Sequence, residues 1–148
     1  MEPEGKKSFY CPHCQAKLSF FNGEFIRLLG ELDSEFFTVR TVIYIPSALG
    51  KYGAIFQEGI KLKEGANVEF FCPDCNANLS TPFNPQLAAL KMRDEKGAEF
   101  YVFFSKIYGE KATYVVDYSS KHIAERFGAD AANIDATQIE KNINYFGA

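Results

Sequence analysis

The sequence predicts an α+β fold that is mainly antiparallel β-sheet and ends in one or two short helices. Short segments rich in aromatic and β-branched residues alternate with turn signals along most of the chain, which is typical of antiparallel strands. Two Cys-x-x-Cys pairs lie 57 residues apart and point to a shared site. Helical spacing of apolar residues occurs near the C-terminus. Together these observations predict strands that are held at one end by the cysteines.

The composition limits the classes of protein to which this chain can belong. The 148 residues are 47% hydrophobic, which excludes intrinsic disorder and predicts one self-sufficient domain over residues 1–148. No run approaches the roughly 18 apolar residues of a membrane helix, and residues 1–7 lack the apolar stretch of a signal peptide. We therefore expect a cytoplasmic protein without membrane insertion.

The charge balance bears on the partner. Sixteen basic and nineteen acidic residues give a formal net charge of −3 and are mixed along the chain. A protein that binds nucleic acid through its phosphates usually carries a basic patch or tail. Nucleic acid is therefore not the expected partner.

The cysteines form two tight loops, Cys11-Pro12-His13-Cys14 and Cys72-Pro73-Asp74-Cys75. Each loop brings two sulfurs together, and two facing loops place four thiolates at the corners of a tetrahedron, as in structural zinc sites. Two disulfides or a thioredoxin-like redox pair are the alternatives. The lack of a secretory signal disfavours the first, and the occurrence of the motif twice without a βαβ pattern disfavours the second. Cys11, Cys14, Cys72 and Cys75 are the predicted metal ligands.

The loops belong to an internal repeat. Residues 9–19 and 70–80 are identical at seven of eleven positions, which predicts paired knuckles over 9–20 and 70–81. The repeated Cys-Pro-x-Cys resembles zinc-ribbon and rubredoxin-like proteins. That resemblance implies Zn²⁺, with iron as the alternative. Two departures stand out: Gln15 and Asn76 replace the glycine common in these families, and the spacer exceeds the usual 15–20 residues.

The long spacer predicts an inserted β-rich subdomain over residues 21–69. Asn22-Gly23 is a turn signal. Alternating apolar residues predict a strand over 36–45 that ends at Pro46. Shorter strands are predicted at 54–57 and 60–63, and residues 68–71 form the strand that enters the second knuckle.

A β-meander is predicted over residues 86–117. Turn signals at 94–97 and 108–111 separate aromatic and β-branched segments. Residues 87–92 fit either a strand or a helix begun by Asn84-Pro85; the strongly β-like segments that follow favour the strand. Residues 100–104 are apolar without interruption, so both faces of that strand are expected to be covered.

The last segment, 119–148, is predicted to be helical. Ser119-Ser120 fits a helix start, and Gly128 fits a stop for a helix over 121–127. A second helix starts near Asp135, with Ile139, Ile143 and Phe146 on one face at helical spacing. We expect this face to pack on the domain or, alternatively, to bind a partner.

No catalytic constellation is visible, so the protein is not expected to be an enzyme. Four cysteines close the coordination shell of a metal, whereas catalytic zinc keeps an open position. The histidines, His13 and His122, are both accounted for as surface residues. The expected function is that of a protein-interaction adaptor, a regulator or a small accessory subunit with an unidentified protein partner. The alternatives are a rubredoxin-like electron carrier and, less favoured by charge, a zinc-ribbon nucleic-acid-binding protein.

Overall fold

The computed structural model describes residues 7–33, 38–56, 65–81, 84 and 86–133. Over these residues the chain is all-β, with one turn of 3-10 helix at Ala131–Asn133. The strands are β1 (Ser8–Tyr10), β2 (Ser19–Phe20), β3 (Phe25–Asp33), β4 (Thr38–Pro46), β5 (Ile55–Phe56), β6 (Val68–Phe71), β7 (Leu87–Arg93), β8 (Glu99–Ser105), β9 (Thr113–Asp117) and β10 (Ile123–Phe127). The described residues contain no α-helix, so the predicted α+β class is wrong for them.

Two antiparallel sheets make up the fold. The first has the order β1-β7-β8-β9-β10, and the second has the order β2-β3-β4-β5 with β6 also paired to β3. Each sheet contributes one face to a common core. Successive side chains of a strand point to opposite faces of its sheet, so alternate residues of each strand enter this core. Buried residues from both sheets form this core, among them Phe9, Leu28, Ile43, Leu90 and Val102.

The sheets are linked by an exchange of strands. β1, which enters the first knuckle, pairs with β7, the long strand after the second knuckle. Conversely, β6 enters the second knuckle and pairs with β3, the long strand after the first. Each half of the chain therefore donates its first strand to the sheet of the other half.

The register shows that the internal repeat extends well beyond the knuckles. β3-β4-β5 and β7-β8-β9 are both antiparallel meanders. Tyr44 pairs with Arg27 on one side and Ile55 on the other, and Phe103 pairs likewise with Ala89 and Tyr114. The Arg27 N–H donates to the Leu18 carbonyl at 2.9 Å, and the Ala89 N–H donates to that of Leu79 at 2.8 Å. The two halves thus occupy matching positions around the cysteines.

The helix predicted over 121–127 is instead the strand β10. It pairs antiparallel with β9, with a register shift between Ile123 and Glu125. Ser119 does not cap a helix: its N–H donates to the Asp117 carboxylate at 2.8 Å, within the turn that joins β9 to β10. The open edge of β9 offers backbone hydrogen-bonding groups that a five-residue segment satisfies better by pairing than by a single helical turn. The second predicted helix, which starts near Asp135, lies outside the described residues.

The first sheet is buried on both faces. Its outer face carries Leu87, Tyr101, Phe103 and Tyr114, which form a second apolar cluster. Ala131 packs on this cluster, and its carbonyl accepts a hydrogen bond from the Tyr114 hydroxyl. The chain after β10 therefore helps to cover this face. Among the described residues, none lies in a helix with the length and hydropathy needed to cross a bilayer.

Candidate metal centre

Each knuckle is built by the same short-range hydrogen bonds. The Cys11 N–H donates to the Ala16 carbonyl at 3.0 Å, and the Gln15 N–H donates to the Cys11 carbonyl at 2.9 Å. Cys72 and Asn76 repeat both bonds at the same lengths. Gln15 and Asn76 have positive φ values of 64° and 62°, so each chain reverses through the left-handed region. This reversal turns the loop back toward its own cysteines.

Backbone N–H groups converge on the first cysteine of each pair. The N–H groups of His13 and Cys14 lie 3.3 and 3.4 Å from Cys11 Sγ. Those of Asp74 and Cys75 lie 3.3 and 3.5 Å from Cys72 Sγ. Such donors stabilise negative charge on sulfur. The loops are therefore arranged to hold thiolates.

The four sulfurs form one cluster between the knuckles. All lie within 4.8 Å of one another. The Cys11–Cys75 and Cys14–Cys72 Sγ separations are 3.8 and 3.7 Å. All four cysteines are free, with Cys11 and Cys72 buried and Cys14 and Cys75 exposed. The predicted metal ligands thus lie together at distances compatible with a single ion.

Burial opposes ionisation at the two inner sulfurs. It raises the pKa of Cys11 and of Cys72, although the backbone N–H groups act to lower both values. At Cys75 burial also acts to raise the pKa, but hydrogen bonds from the Ala77 N–H and the other thiols outweigh it, and the pKa is lowered. A bound dication would displace the thiol protons outright. Metal binding would therefore stabilise the thiolate forms of Cys11 and Cys72 in spite of their burial.

Cations flank both knuckles. Arg40 Nη1 donates to Asn76 Oδ1 at 2.7 Å, and its guanidinium lies 4.2 Å from the centre of the Phe71 ring. At the other knuckle, Lys91 Nζ donates to Gln15 Oε1 at 3.4 Å. Arg40 is also paired with Glu31 at 3.4 Å and Lys91 with Glu99 at 3.2 Å, so each cation is shared between a knuckle and a carboxylate. Sequence spacing does not predict Arg40 and Lys91 as neighbours of the knuckles, because these residues reach the loops from the distant strands β4 and β7.

Among the described residues, the cluster consists of the four cysteines alone. His13 and Asp74 sit in the loops and are exposed. The partner-binding candidates Ile139, Ile143 and Phe146 lie outside the described residues. A second surface, which was not predicted, is formed by Phe20, Phe21, Phe25, Tyr44 and Ile55; these side chains line one shallow hollow on the second sheet. We call it the aromatic face.

Comparison of the chain with protein-family models, with curated proteins and with solved structures gave no match in any of the three. The four-cysteine cluster and the surfaces around it are therefore the features from which a function can be inferred.

Proposed function

We propose that Cys11, Cys14, Cys72 and Cys75 bind one Zn²⁺ in a closed, structural site of the zinc-ribbon type. The Sγ separations carry this proposal. A tetrahedral ion with Zn–S bonds of about 2.3 Å places its ligands about 3.8 Å apart. The observed 3.7 and 3.8 Å agree with that value.

A structural role follows from where the ligands come from. Cys11 directly follows β1 in the first sheet, and Cys72 directly follows β6 in the second. One ion would therefore join the two sheets. Four protein ligands leave no open position for substrate or water, so we propose that this centre is not catalytic.

Metal content and an absorption spectrum test this assignment. We expect one zinc per chain and no visible colour. Cys72→Ser should lose the metal, whereas His13→Ala, in the same kind of loop, should retain it. A red protein with one iron would instead support the rubredoxin-like electron carrier, which uses the same four ligands.

We further propose that the protein acts in recognition, as an adaptor, a regulator or a small accessory subunit, through the aromatic face. Phe20, Phe21 and Ile55 are 42%, 62% and 53% exposed. Phe21 also has a φ of 54°, which is unusual for a bulky residue. Apolar patches of a few hundred Å² are often functional, and aromatic residues are enriched at protein interfaces.

The internal repeat strengthens this proposal. The positions that match Phe25, Tyr44 and Ile55 in the other half are Leu87, Phe103 and Tyr114, and all three are fully buried. In the first sheet, the residues that follow β10 help to cover that face. The aromatic face lacks such a cover among the described residues, and we propose that a partner supplies it.

Area and charge favour a protein segment as that partner. With about 200 Å² for each large apolar side chain, the exposed fractions of Phe20, Phe21 and Ile55 leave roughly 300 Å² open to a partner. That area is well below the ~800 Å² per side of a standard complex. Arg27 lies 5.9 Å from the Phe20 ring centre and forms no ion pair with a described residue. A short apolar segment flanked by a carboxylate fits both features.

Nucleic acid fits less well. Arg40, the other arginine on this sheet face, is paired with Glu31 at 3.4 Å. Four thiolates and one Zn²⁺ would add −2 to the formal net charge of −3. Binding to single-stranded DNA that falls steeply with salt would nevertheless restore this alternative.

Photocrosslinking tests the proposed surface. A benzophenone side chain at position 21 should give an adduct with one protein in an extract of the source organism, and Phe21→Ser/Ile55→Ser should reduce capture by the zinc-loaded chain at least tenfold. The control variant Lys96→Ser changes an exposed turn residue in the other half. Equal capture by both variants would contradict a role for the aromatic face.

A further inference from the structure

A cavity of about 370 Å³ lies between the two sheets. Its walls are apolar side chains from the inner faces of both sheets, among them Ile26, Ile43, Ile45, Leu90, Val102 and Phe104. The β4–β5 and β8–β9 connections complete the wall. These connections occupy matching positions in the two halves, so the cavity is bounded by both halves of the repeat.

The polar groups that line the cavity are mostly paired already. The Tyr52 hydroxyl and Thr113 Oγ1 lie 2.8 Å apart, and Ser105 Oγ donates to the Glu110 carboxylate at 2.7 Å. The buried Lys106 ammonium bonds to Glu69 Oε1 at 2.9 Å. Its charge is therefore neutralised within the protein.

Two lysines at the opening differ from these groups. Lys51 and Lys111 line the cavity and are also exposed to solvent, which places them at its mouth. Neither ammonium forms an ion pair with a described residue. The nearby Asp130 carboxylate accepts a hydrogen bond from the Lys111 backbone N–H at 2.8 Å. The mouth therefore presents two cationic side chains above an apolar interior.

We propose that this cavity binds a medium-chain carboxylate, with its hydrocarbon tail between the sheets and its carboxylate beside Lys51 and Lys111. A water-sized group takes up about 30 Å³. A cavity of about 370 Å³ therefore has room for roughly a dozen non-hydrogen atoms. Apolar walls with a few charged groups at one end are the usual composition of a small-molecule site. The cavity shares no residue with the cysteine cluster or with the aromatic face, so this proposal is independent of the proposed function.

Calorimetric titration of the zinc-loaded chain with dodecanoate, below its micellar concentration, tests the proposal. We expect saturable binding at one site. Lys51→Glu/Lys111→Glu should weaken dodecanoate binding at least tenfold and change binding of 1-dodecanol less than twofold. The control Lys17→Glu/Lys96→Glu makes the same change in net charge at exposed positions elsewhere and should leave dodecanoate binding within twofold of the unmodified chain.

Leu49→Trp provides a second test, because it enlarges a cavity residue in a connection rather than in a strand. It should abolish binding of both dodecanoate and 1-dodecanol. Absence of saturable dodecanoate binding to the unmodified chain would overturn the proposal. So would an equal loss in both double-lysine variants, or a loss on Phe21→Ser/Ile55→Ser, which would place the ligand on the aromatic face.

Discussion

At the scale of single residues, Gln15 and Asn76 show how each knuckle closes. Both adopt the left-handed backbone that glycine accepts without strain. Asn tolerates this region better than most residues. The Gln15 side chain donates one hydrogen bond within the loop, from its Nε2 to the Pro12 carbonyl at 3.2 Å, and its Oε1 accepts one from the distant Lys91 Nζ at 3.4 Å. The left-handed turn, rather than a particular side chain, is what the metal loop requires.

Gln15→Gly should therefore be more stable than Gln15→Ala by about 1 kcal/mol, because only Ala retains the Cβ clash of the left-handed region. Urea unfolding of the zinc-loaded variants measures the difference. The matched pair Lys17→Gly and Lys17→Ala lies at a residue without positive φ, and there Ala should be the more stable. Equal stability of the two Gln15 variants would show that the turn is not strained.

The burial of Tyr101 predicts that the free energy of unfolding falls at alkaline pH. Burial raises its pKa from 10.0 to about 12, with smaller contributions from Tyr118 and Glu99. Between these values the unfolded chain loses a proton that the folded chain keeps. The stability due to this group is therefore complete below about pH 10 and is lost as the pH rises toward 12.

Tyr101→Phe should remove about 2 kcal/mol of the stability loss between pH 9 and pH 12, given 1.36 kcal/mol per pKa unit. Urea midpoints at the two pH values measure this loss. Tyr108→Phe, at an exposed tyrosine, serves as the control and should lose stability as the unmodified chain does. The same loss in Tyr101→Phe would rule out this residue as the source.

At the scale of elements, β10 depends on how the chain leaves it. Gly128 directly follows this strand with a φ of 97°. A Cβ there would lie 2.1 Å from the Lys111 carbonyl oxygen, so any side chain would push the two segments apart. The glycine that signals a helix stop in the sequence serves in the structure as a close backbone contact beyond a strand.

Gly128→Ala should destabilise the protein by at least about 2 kcal/mol and should speed hydrogen exchange of the β10 amides. Gly97→Ala is the matched control: its φ is 87°, but nothing lies within 4 Å of the added Cβ. That variant should carry only the backbone cost of about 1–2 kcal/mol. Equal losses in the two variants would mean that the contact with Lys111 is unimportant.

At the scale of the whole molecule, the cysteine cluster lies where the two halves exchange strands. A metal at this point would close a loop of about 60 residues between Cys11 and Cys72. A cross-link of that span contributes about 4 kcal/mol through loss of unfolded-chain entropy. Both sheets also share one core, so the sheets need not separate when the metal is removed.

Chelation should therefore lower the melting temperature by roughly 8–16 °C, at 2–4 °C per kcal/mol for a chain of this size. Thermal scans with and without chelator measure the change. In Cys72→Ser/Cys75→Ser the chelator should have no effect. An unchanged melting temperature in the unmodified chain would contradict a structural metal.

The sequence alone predicts the features that depend on residues close together in the chain. Residue type and spacing predict that the four cysteines lie together, and the structure brings their sulfurs together. The sequence predicts a strand over residues 68–71, and β6 spans these residues. The alternation of side chains between the two faces of a strand depends only on adjacent positions in the chain. The positive φ values at Asn22, Gly23 and Gly97 coincide with the predicted turns.

Only the tertiary structure decided the features that depend on distant partners. Residues 121–127 satisfy a helical pattern, but the free edge of β9 makes them a strand. The repeat was visible over eleven residues, whereas hydrogen-bond register extends it through two meanders and reveals the exchange of β1 and β6. The periodicity of one segment records which of its faces is apolar and not which segment covers that face. The aromatic face, the cavity and the pairing of the sheets depend on which distant segment covers each apolar face.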